Sequence, residues 1–584
     1  MLRAFRSRRL LAGALEVAAL AAVAYVPLLL TKPGMVAADT KQYLYLDPGR
    51  LLASALSMWD PSVAAGTVTH QNIGYLFPQG PFYYVLEAWL RLPPWVAQRL
   101  WMGSLLFVAG AGVRYLARVV GLARGGVIVA ALAYELSPYS MQYIERISAI
   151  LLPFSALGWM LAFTILALRR GGWRYPALFA IAAAGAGGTN ATSIIYAGLA
   201  PVLWVFYSWL GTREVTWRQA LSGSLRIALL TLATALWWIA GLAVEGSYGI
   251  NVLRYTETLP AVASTSVASE VTRGLGYWYF YGSDRLGPWL AAAVDYQRRL
   301  LLVATSFAVP ALAVLAAAFV RWRERAYFVI IAFVGIVLAV GTHPYGHPSV
   351  AGSGLKEFMT RTTAGFALRS SDRATPLVVL GLAVLLGAGV SALFSRVRTR
   401  AVPLAVAALC CAIVVVNATP LLTGAAVAAN FERTANLPAY DYEAGHWLDQ
   451  HGSSSTRVLV EPGQDFGDYT YGDTVDPIWP GVTTRPLVQR QQLIDGSYAT
   501  ADLLGAFDEN VEQGTYEPST LAPLARLFSA ADVLWQSDLA FWRYDSPRPQ
   551  ATWQQIANPP PGIGRPIGFG GHPVNIAPPG DRFV

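Results

Sequence analysis

The chain has 584 residues and is 54% hydrophobic but only 13% charged, with a mean hydropathy of +0.41; soluble domains carry about a quarter charged residues, so an ordinary water-soluble enzyme is excluded. Charge is divided unevenly: residues 1–417 hold 34 Lys+Arg against 16 Asp+Glu, and residues 418–584 hold 9 against 19. The basic residues are almost all arginines set between apolar runs instead of gathered into a patch, so no nucleic-acid partner is expected.

In chain order, Arg3, Arg6, Arg8 and Arg9 precede the apolar run Leu10–Leu30, about 30 Å of helix and enough to cross a bilayer. No small-residue cleavage site closes it, since Leu28-Leu29-Leu30-Thr31-Lys32-Pro33 follows. An uncleaved anchor with a cytoplasmic N-terminus is therefore expected. Further apolar segments lie near 96–113, 124–140, 149–168, 175–190, 194–210, 224–244, 300–320, 326–342, 375–395 and 400–417, which predicts about eleven spans and termini on opposite sides. The segments this assigns inside contain 19 Arg and only two acids, Glu214 and Glu324. That is a strong positive-inside signal. Residues 76–95 are apolar and aromatic, but a crossing there would invert every later loop, so an interfacial or re-entrant helix broken by Pro78, Pro81, Pro93 and Pro94 is expected. Cys410 and Cys411, adjacent in an apolar run, read as core or lipid-facing residues.

The expected architecture is a polytopic α-helical membrane protein. Its membrane domain would span 1–417 with outer loops 31–95 and 245–299, followed by an extracytoplasmic α/β domain over 418–584. In that tail, strand-like Arg457-Val458-Leu459-Val460 and helical stretches near 440–450 and 498–508 alternate with Gly/Pro/Asp turns. Its last 25 residues, rich in Pro and Gly, read as a linker or an interrupted domain.

Intramembrane acids are few, Glu16 and Glu135, each either a packed polar group or functional. Carboxylates concentrate in the outer loops. Asp39 and Asp47 follow the first span, where a carboxylate could deprotonate an acceptor hydroxyl while basic neighbours hold a leaving phosphate; a solvated loop acid is the bland alternative. Gln71, Asn72 and Tyr75 form an amide and aromatic cluster suited to a sugar ring, or an interfacial aromatic belt. Glu257 stands three residues from Arg254, a spacing that would pair them on a helix. Arg369 and Arg373 suit a phosphate or pyrophosphate, or else anchor in lipid headgroups. His343 and His347 lack partners at metal-ligand spacing, so no metal site is expected. There is no P-loop, Gly-x-Ser-x-Gly elbow or His-Glu-x-x-His helix either.

Taken together, Ala38-Asp39-Thr40-Lys41, Gln71-Asn72, Gly74-Tyr75, Phe77-Pro78, Gly80 and Gln98-Arg99-Leu100-Trp101 resemble the actinobacterial arabinofuranosyltransferase D family. Leu136-Ser137-Pro138, Asn190-Ala191-Thr192-Ser193 and Ala367-Leu368-Arg369 add to the resemblance. It implies a GT-C glycosyltransferase that moves arabinofuranose from a polyprenyl-phosphate donor to a cell-envelope glycan at the outer membrane face, with no cofactor beyond that lipid-linked substrate. It further implies that Asp39 is the catalytic base and that Glu257 lines the same cavity, with Lys41, Arg254 and Arg369 as candidates for the donor phosphate. Asp47-Pro48 departs from the Asn-Pro of mycobacterial members, which makes Asp47 an auxiliary or sharing carboxylate. The family is also typically longer, with carbohydrate-binding β domains. A transporter or flippase of lipid-linked glycans, or a scaffold with an acidic docking tail, are the alternatives from other classes.

Overall fold

The computed structural model of the chain describes residues 2–39, 41–54, 57–61, 63–68, 74–144, 146–427, 430–490, 496–544 and 546–570. It divides into two compact units. One comprises Met1–Pro33, Gln98–Trp237 and Thr256–Asn430; the other comprises Gly34–Ala97, Trp238–Tyr255 and Phe431–Val584. The division thus differs from the expected break at residue 417: the outer loop after the first helix groups with the tail, because a strand in one pairs with a strand in the other.

Among the described residues, eleven apolar helices lie where the hydropathy placed apolar segments. They are α1 (Leu2–Leu30), α2 (Pro94–Val119), α3 (Arg124–Glu135), α4 (Leu151–Arg170), α5 (Arg174–Gly187), α6 (Ala191–Phe206), α7 (Trp217–Tyr248), α8 (Leu300–Phe319), α9 (Arg325–Val340), α10 (Thr375–Arg396) and α11 (Ala401–Asn417). Among the described residues, seven segments have the length and apolarity of a full crossing: those containing α1, α2, α4, α6, α7, α8 and α10. The 12-residue α3 reaches only about 18 Å at 1.5 Å per residue. It stops short of the expected residue 140 because Ser137 precedes Pro138 and is forced into an extended conformation (φ −67°, ψ 153°). A separate short helix, Pro138–Tyr143, then begins with the proline at its first position.

α10 is apolar on every face and packs against α3, α8 and α9, with all but a few residues near its C-terminal end buried. Glycines let the backbones meet: a Cβ added at Gly387 would lie 2.5 Å from the Gly126 carbonyl oxygen of α3. By contrast, Leu221, Leu225, Leu229, Leu232 and Leu236 of α7 are all half or more exposed, an apolar surface suited to lipid. The two acids on the expected inner side are enclosed by arginine. Glu214 lies 2.6 Å from Arg169 Nε and 3.5 Å from Arg323, and Glu324 lies 3.2 Å from Arg169.

In the other unit, β1 (Met35–Ala37), β2 (Glu432–Thr434), β3 (Arg457–Glu461), β4 (Gly467–Tyr469), β5 (Gly472–Val475), β6 (Leu487–Val488) and β7 (Ala530–Trp535) form two sheets. One has the antiparallel order β1-β2-β5-β4; the other is parallel, β6-β3-β7. The helices expected in the tail are present as α12 (Ala439–His451) and α13 (Tyr498–Glu512). Alternation along β3 explains their placement. Val458 and Val460 join the cluster containing Leu448 of α12, while Leu459 joins Leu504, Phe507 and Val511 of α13. A central parallel strand buried on both faces must read as a continuous apolar run, and this one does. Before α2, the helix Gln79–Tyr84 runs through Pro81 and on into a wide helical turn at Val85–Trp89, so Pro81 does not break it; the interruption comes at residues 90–93, ahead of Pro94, and Trp89 and Leu90 are exposed.

Candidate active site

Asp39 leaves the end of β1. The register Val36 to Arg433 and Ala37 to Glu432 continues in a hydrogen bond from the Ala38 N–H to the Phe431 carbonyl (2.8 Å), so the backbone entering Asp39 is fixed. The side chain is nearly buried, at 8% exposed. The fully buried Tyr83 feels its charge and donates to the Tyr45 hydroxyl over 3.4 Å. Burial, Tyr45 and the negative charge of Asp39 hold the Tyr83 phenol protonated well above its usual range. Burial likewise pushes Glu87 up to about 9 against the pull of Arg433, so this acid is neutral at pH 7.

Neither Arg433 nor Gln42 stood out in the sequence. Arg433 is fully buried; its Nε donates to Gln42 Oε1 (2.9 Å), and its Nη1 to the carbonyls of Thr434 (2.7 Å) and Ala435 (3.0 Å). Gln42 in turn donates to the Thr474 carbonyl at 3.3 Å. Nη2 is buried and has no hydrogen-bond partner among the described residues. The antiparallel pairing of β1 with β2 sets this cation opposite Val36, three residues from Asp39, and nothing in the local sequence signals a partner almost four hundred residues away.

Of the other residues expected here, Lys41 forms an ion pair with Asp476 (3.0 Å). Asp47 caps the short helix Pro48–Ala53, its carboxylate accepting from the Arg50 N–H at 3.0 Å. Tyr75 is half-buried, and its carbonyl accepts from the Gly80 N–H (3.0 Å). Gln71 and Asn72 lie outside the described residues. Arg254 is exposed at the end of the turn Val252–Arg254. Because that turn stops there, the helical spacing needed for an Arg254–Glu257 pair does not exist, and the expected pair is corrected.

Glu257 is instead bound within the helical unit by residues more than a hundred positions away. Its carboxylate accepts from the Ser370 hydroxyl and lies 3.7 Å from Arg373 Nη2. Its carbonyl accepts from Arg369 Nε at 2.7 Å. Arg369 also donates to the Phe366 carbonyl (3.0 Å) and to Thr256, and is 2% exposed. Arg373 donates to Asn190 Oδ1 (3.0 Å), the same atom that caps α6 through the Ser193 N–H (2.9 Å). Asp372 accepts from the Tyr143 hydroxyl at 2.6 Å, and the Tyr143 ring stacks on Tyr277 with centroids 4.4 Å apart. Burial would raise the Glu257 carboxyl, but Arg373, the Ser370 hydroxyl and Arg369 together outweigh it and hold the group below its ordinary value. Glu257, Arg369 and Arg373 are thus brought together, as a network that ties the segment after residue 255 to the start of α10.

Residues 23–579 match the family described as alpha-(1->3)-arabinofuranosyltransferase, N-terminal GT-C domain. The chain belongs to that family. It is 28% identical over 486 residues to the alpha-(1->3)-arabinofuranosyltransferase of Mycolicibacterium smegmatis, covering 78% of this chain and 32% of that protein. To the Mycobacterium tuberculosis protein of the same name it is 31% identical over 529 residues, covering 81% and 35%. A cryo-EM structure of arabinofuranosyltransferase AftD from Mycobacteria superposes with a TM-score of 0.72 at 24% identity, covering 95% of this chain and 38% of that one. The fold is therefore that of a GT-C membrane protein, as the resemblance implied, and the chain spans about a third of the length of these relatives.

Proposed function

We propose that this chain carries the transferase chemistry of a membrane glycosyltransferase, moving a sugar, arabinofuranose by family, from a polyprenyl-phosphate donor to a cell-envelope glycan at the outer membrane face. The observation that carries the reading is Asp39: a carboxylate one strand beyond the first membrane helix, drawn out of solvent, on a backbone pinned by β1 and β2. A lipid-linked donor brings its own activated phosphate bond, so the protein needs a base and a means of positioning, and no nucleotide loop. Asp39 would take the proton of the acceptor hydroxyl as the new glycosidic bond forms and the donor's bond to phosphate breaks. Tyr83 is the described neighbour that feels its charge, while Arg433 and Gln42 fix the strand pair from which it emerges.

The remaining assignments follow from the contacts. Lys41 and Arg254 stay as candidates for the donor phosphate, and Gln71, Asn72 and Tyr75 as candidates for sugar contacts. Asp47, through its cap, orients the segment after Asp39 more directly than it could act as a second base. Glu257, Arg369 and Arg373 brace the outer end of the helical unit. The outer-face sidedness rests on the distribution of arginine.

Transfer of radiolabelled arabinofuranose from decaprenyl phosphate to an arabinan acceptor, by the purified protein in proteoliposomes, tests this. Asp39→Asn is expected to lower turnover by about 10²-fold or more with unfolding temperature and donor binding unchanged. Unaltered turnover would remove Asp39 from the mechanism. Movement of the donor between leaflets with no new glycosidic bond would mark a flippase instead.

A further inference from the structure

The helical unit holds an open groove of about 620 Å³ between α1 and α2, floored by Gly13, Ala14, Val17 and Ala21 and edged by Arg114 and Arg118. The two helices are in close contact at its closed end. There the Tyr25 hydroxyl meets Ser104 Oγ at 3.0 Å, and a Cβ added to Gly103 would come within 2.3 Å of the Tyr25 ring. Beside the groove-lining residues of α1 stands Glu16, the one acid of the apolar stretch Leu10–Leu30, buried and met by three arginines: Arg114 (2.9 Å), Arg118 and Arg124. One carboxylate faces three guanidinium groups, so cationic charge is in excess. Arg118 and Arg124 remain 44% and 56% exposed; Arg124 also donates to the Ala12 carbonyl of α1, so Arg118 is the less committed of the two.

We propose that this groove binds an anionic phospholipid. Its phosphate would sit on Arg118 at the groove's edge, with the half-exposed Arg124 beside it, the guanidinium N–H groups donating to the phosphate oxygens. One acyl chain would run about 12 Å along the nine residues from Gly13 to Ala21, over side chains too small to fill the space. A zwitterionic headgroup carries its own cation and would leave the excess charge of the cluster uncompensated, so an anionic lipid is the matched occupant. The arginine-rich end corresponds to the cytoplasmic leaflet by the positive-inside rule. The site therefore differs from, and does not depend on, the Asp39 reading.

The test is native mass spectrometry of the full chain, extracted into detergent from nanodiscs of equal phosphatidylglycerol and phosphatidylcholine. Wild type is expected to retain phosphatidylglycerol selectively. The double variant Arg118→Gln/Arg124→Gln, which leaves Arg114 on Glu16, is expected to lose that selectivity about tenfold. Val17→Trp fills the groove with every charge in place; loss of retention there, with the unfolding temperature held, separates a seated lipid from diffuse attraction to a basic surface. Equal retention of the two lipids by wild type, or unchanged phosphatidylglycerol in both variants, would overturn the proposal.

Discussion

Among the clusters of the helical unit in which arginines from separate segments meet a glutamate, those at Glu257 and Glu16 differ in closure. At Glu257 the arginines are buried and largely engaged by internal partners: Arg369 bonds two carbonyls and a hydroxyl, and Arg373 divides itself between Asn190 and the carboxylate, with only its Nε lacking a partner among the described residues. The side chains of Glu257 and Arg373 are only 13% and 14% exposed. At Glu16 a single buried acid is outnumbered, and two of its arginines are half in the open. Both look like anion sites when read as isolated arginines near a helix end. What separates a brace from a receptor is how many donors remain after the protein's own acceptors are satisfied, and how much of the cation is exposed.

Breaking the closed cluster should have the largest effect. Arg373→Ala removes the main cation from a buried carboxylate and leaves it to Ser370 and Arg369, which costs about 3 kcal/mol and should lower the thermal unfolding midpoint in detergent by several degrees. Glu257→Gln should be milder, because it removes both the charge and the need for its partner. The pH dependence distinguishes the two. The Glu257 carboxyl is held below its ordinary 4.5, so its contribution is fully present above that value and is lost as the pH falls through the folded-state value. Wild-type stability should thus be flat above about pH 5 from this group and decline below it, and Glu257→Gln should lack that decline. An identical acid limb in the variant would mean that Arg373 does not engage the carboxylate in solution.

Glu135, at the end of α3, supplies a reference acid with no arginine. It is fully buried, and neither carboxylate oxygen has a hydrogen-bond partner among the described residues. A Cβ added to Gly110 of α2 would sit 2.0 Å from one of them. Glu135→Gln should therefore leave stability unchanged or raise it by about 1 kcal/mol, the reverse of a substitution at Glu257, while Gly110→Ala should cost about 1–3 kcal/mol by overpacking. Urea titration of the purified protein reads both, and a large loss in Glu135→Gln would show that a partner had gone unrecognised.

How far the sequence could lead is set by the range over which each signal acts. The apolar helices were legible because hydropathy is a local sum, and even the early end of α3 is written in Ser137-Pro138. The tail strand β3 and the helices α12 and α13 carried their own periodicity. The pairing of β1 with β2 did not, because three-residue strands offer too little alternation and their partners are separated by the whole membrane domain. That pairing sets the buried Arg433 opposite Val36, three residues before Asp39, which is why Asp39 could be named in advance and Arg433 could not. The Arg254–Glu257 pair failed for a related reason: three-residue spacing has meaning only on a helix, and the turn there ends at Arg254.

The smallest effect on stability is expected at the open cluster, and its contrast with a neighbour is informative. Arg118 and Arg114 both contact Glu16, but the Arg118 side chain is 44% exposed and the Arg114 side chain only 15%. Arg114 also donates to the Gly13 carbonyl at 3.1 Å, so it joins α2 to α1 through backbone as well as charge. Arg118→Gln should change stability by less than about 1 kcal/mol, because solvent screens a half-exposed ion pair and Arg114 and Arg124 remain on the acid. Arg114→Gln should cost more than Arg118→Gln, since it removes the cation that shares the acid's buried environment. If thermal unfolding ranked them the other way, the excess charge at Glu16 would be holding the helices together, and the open groove would be a second brace.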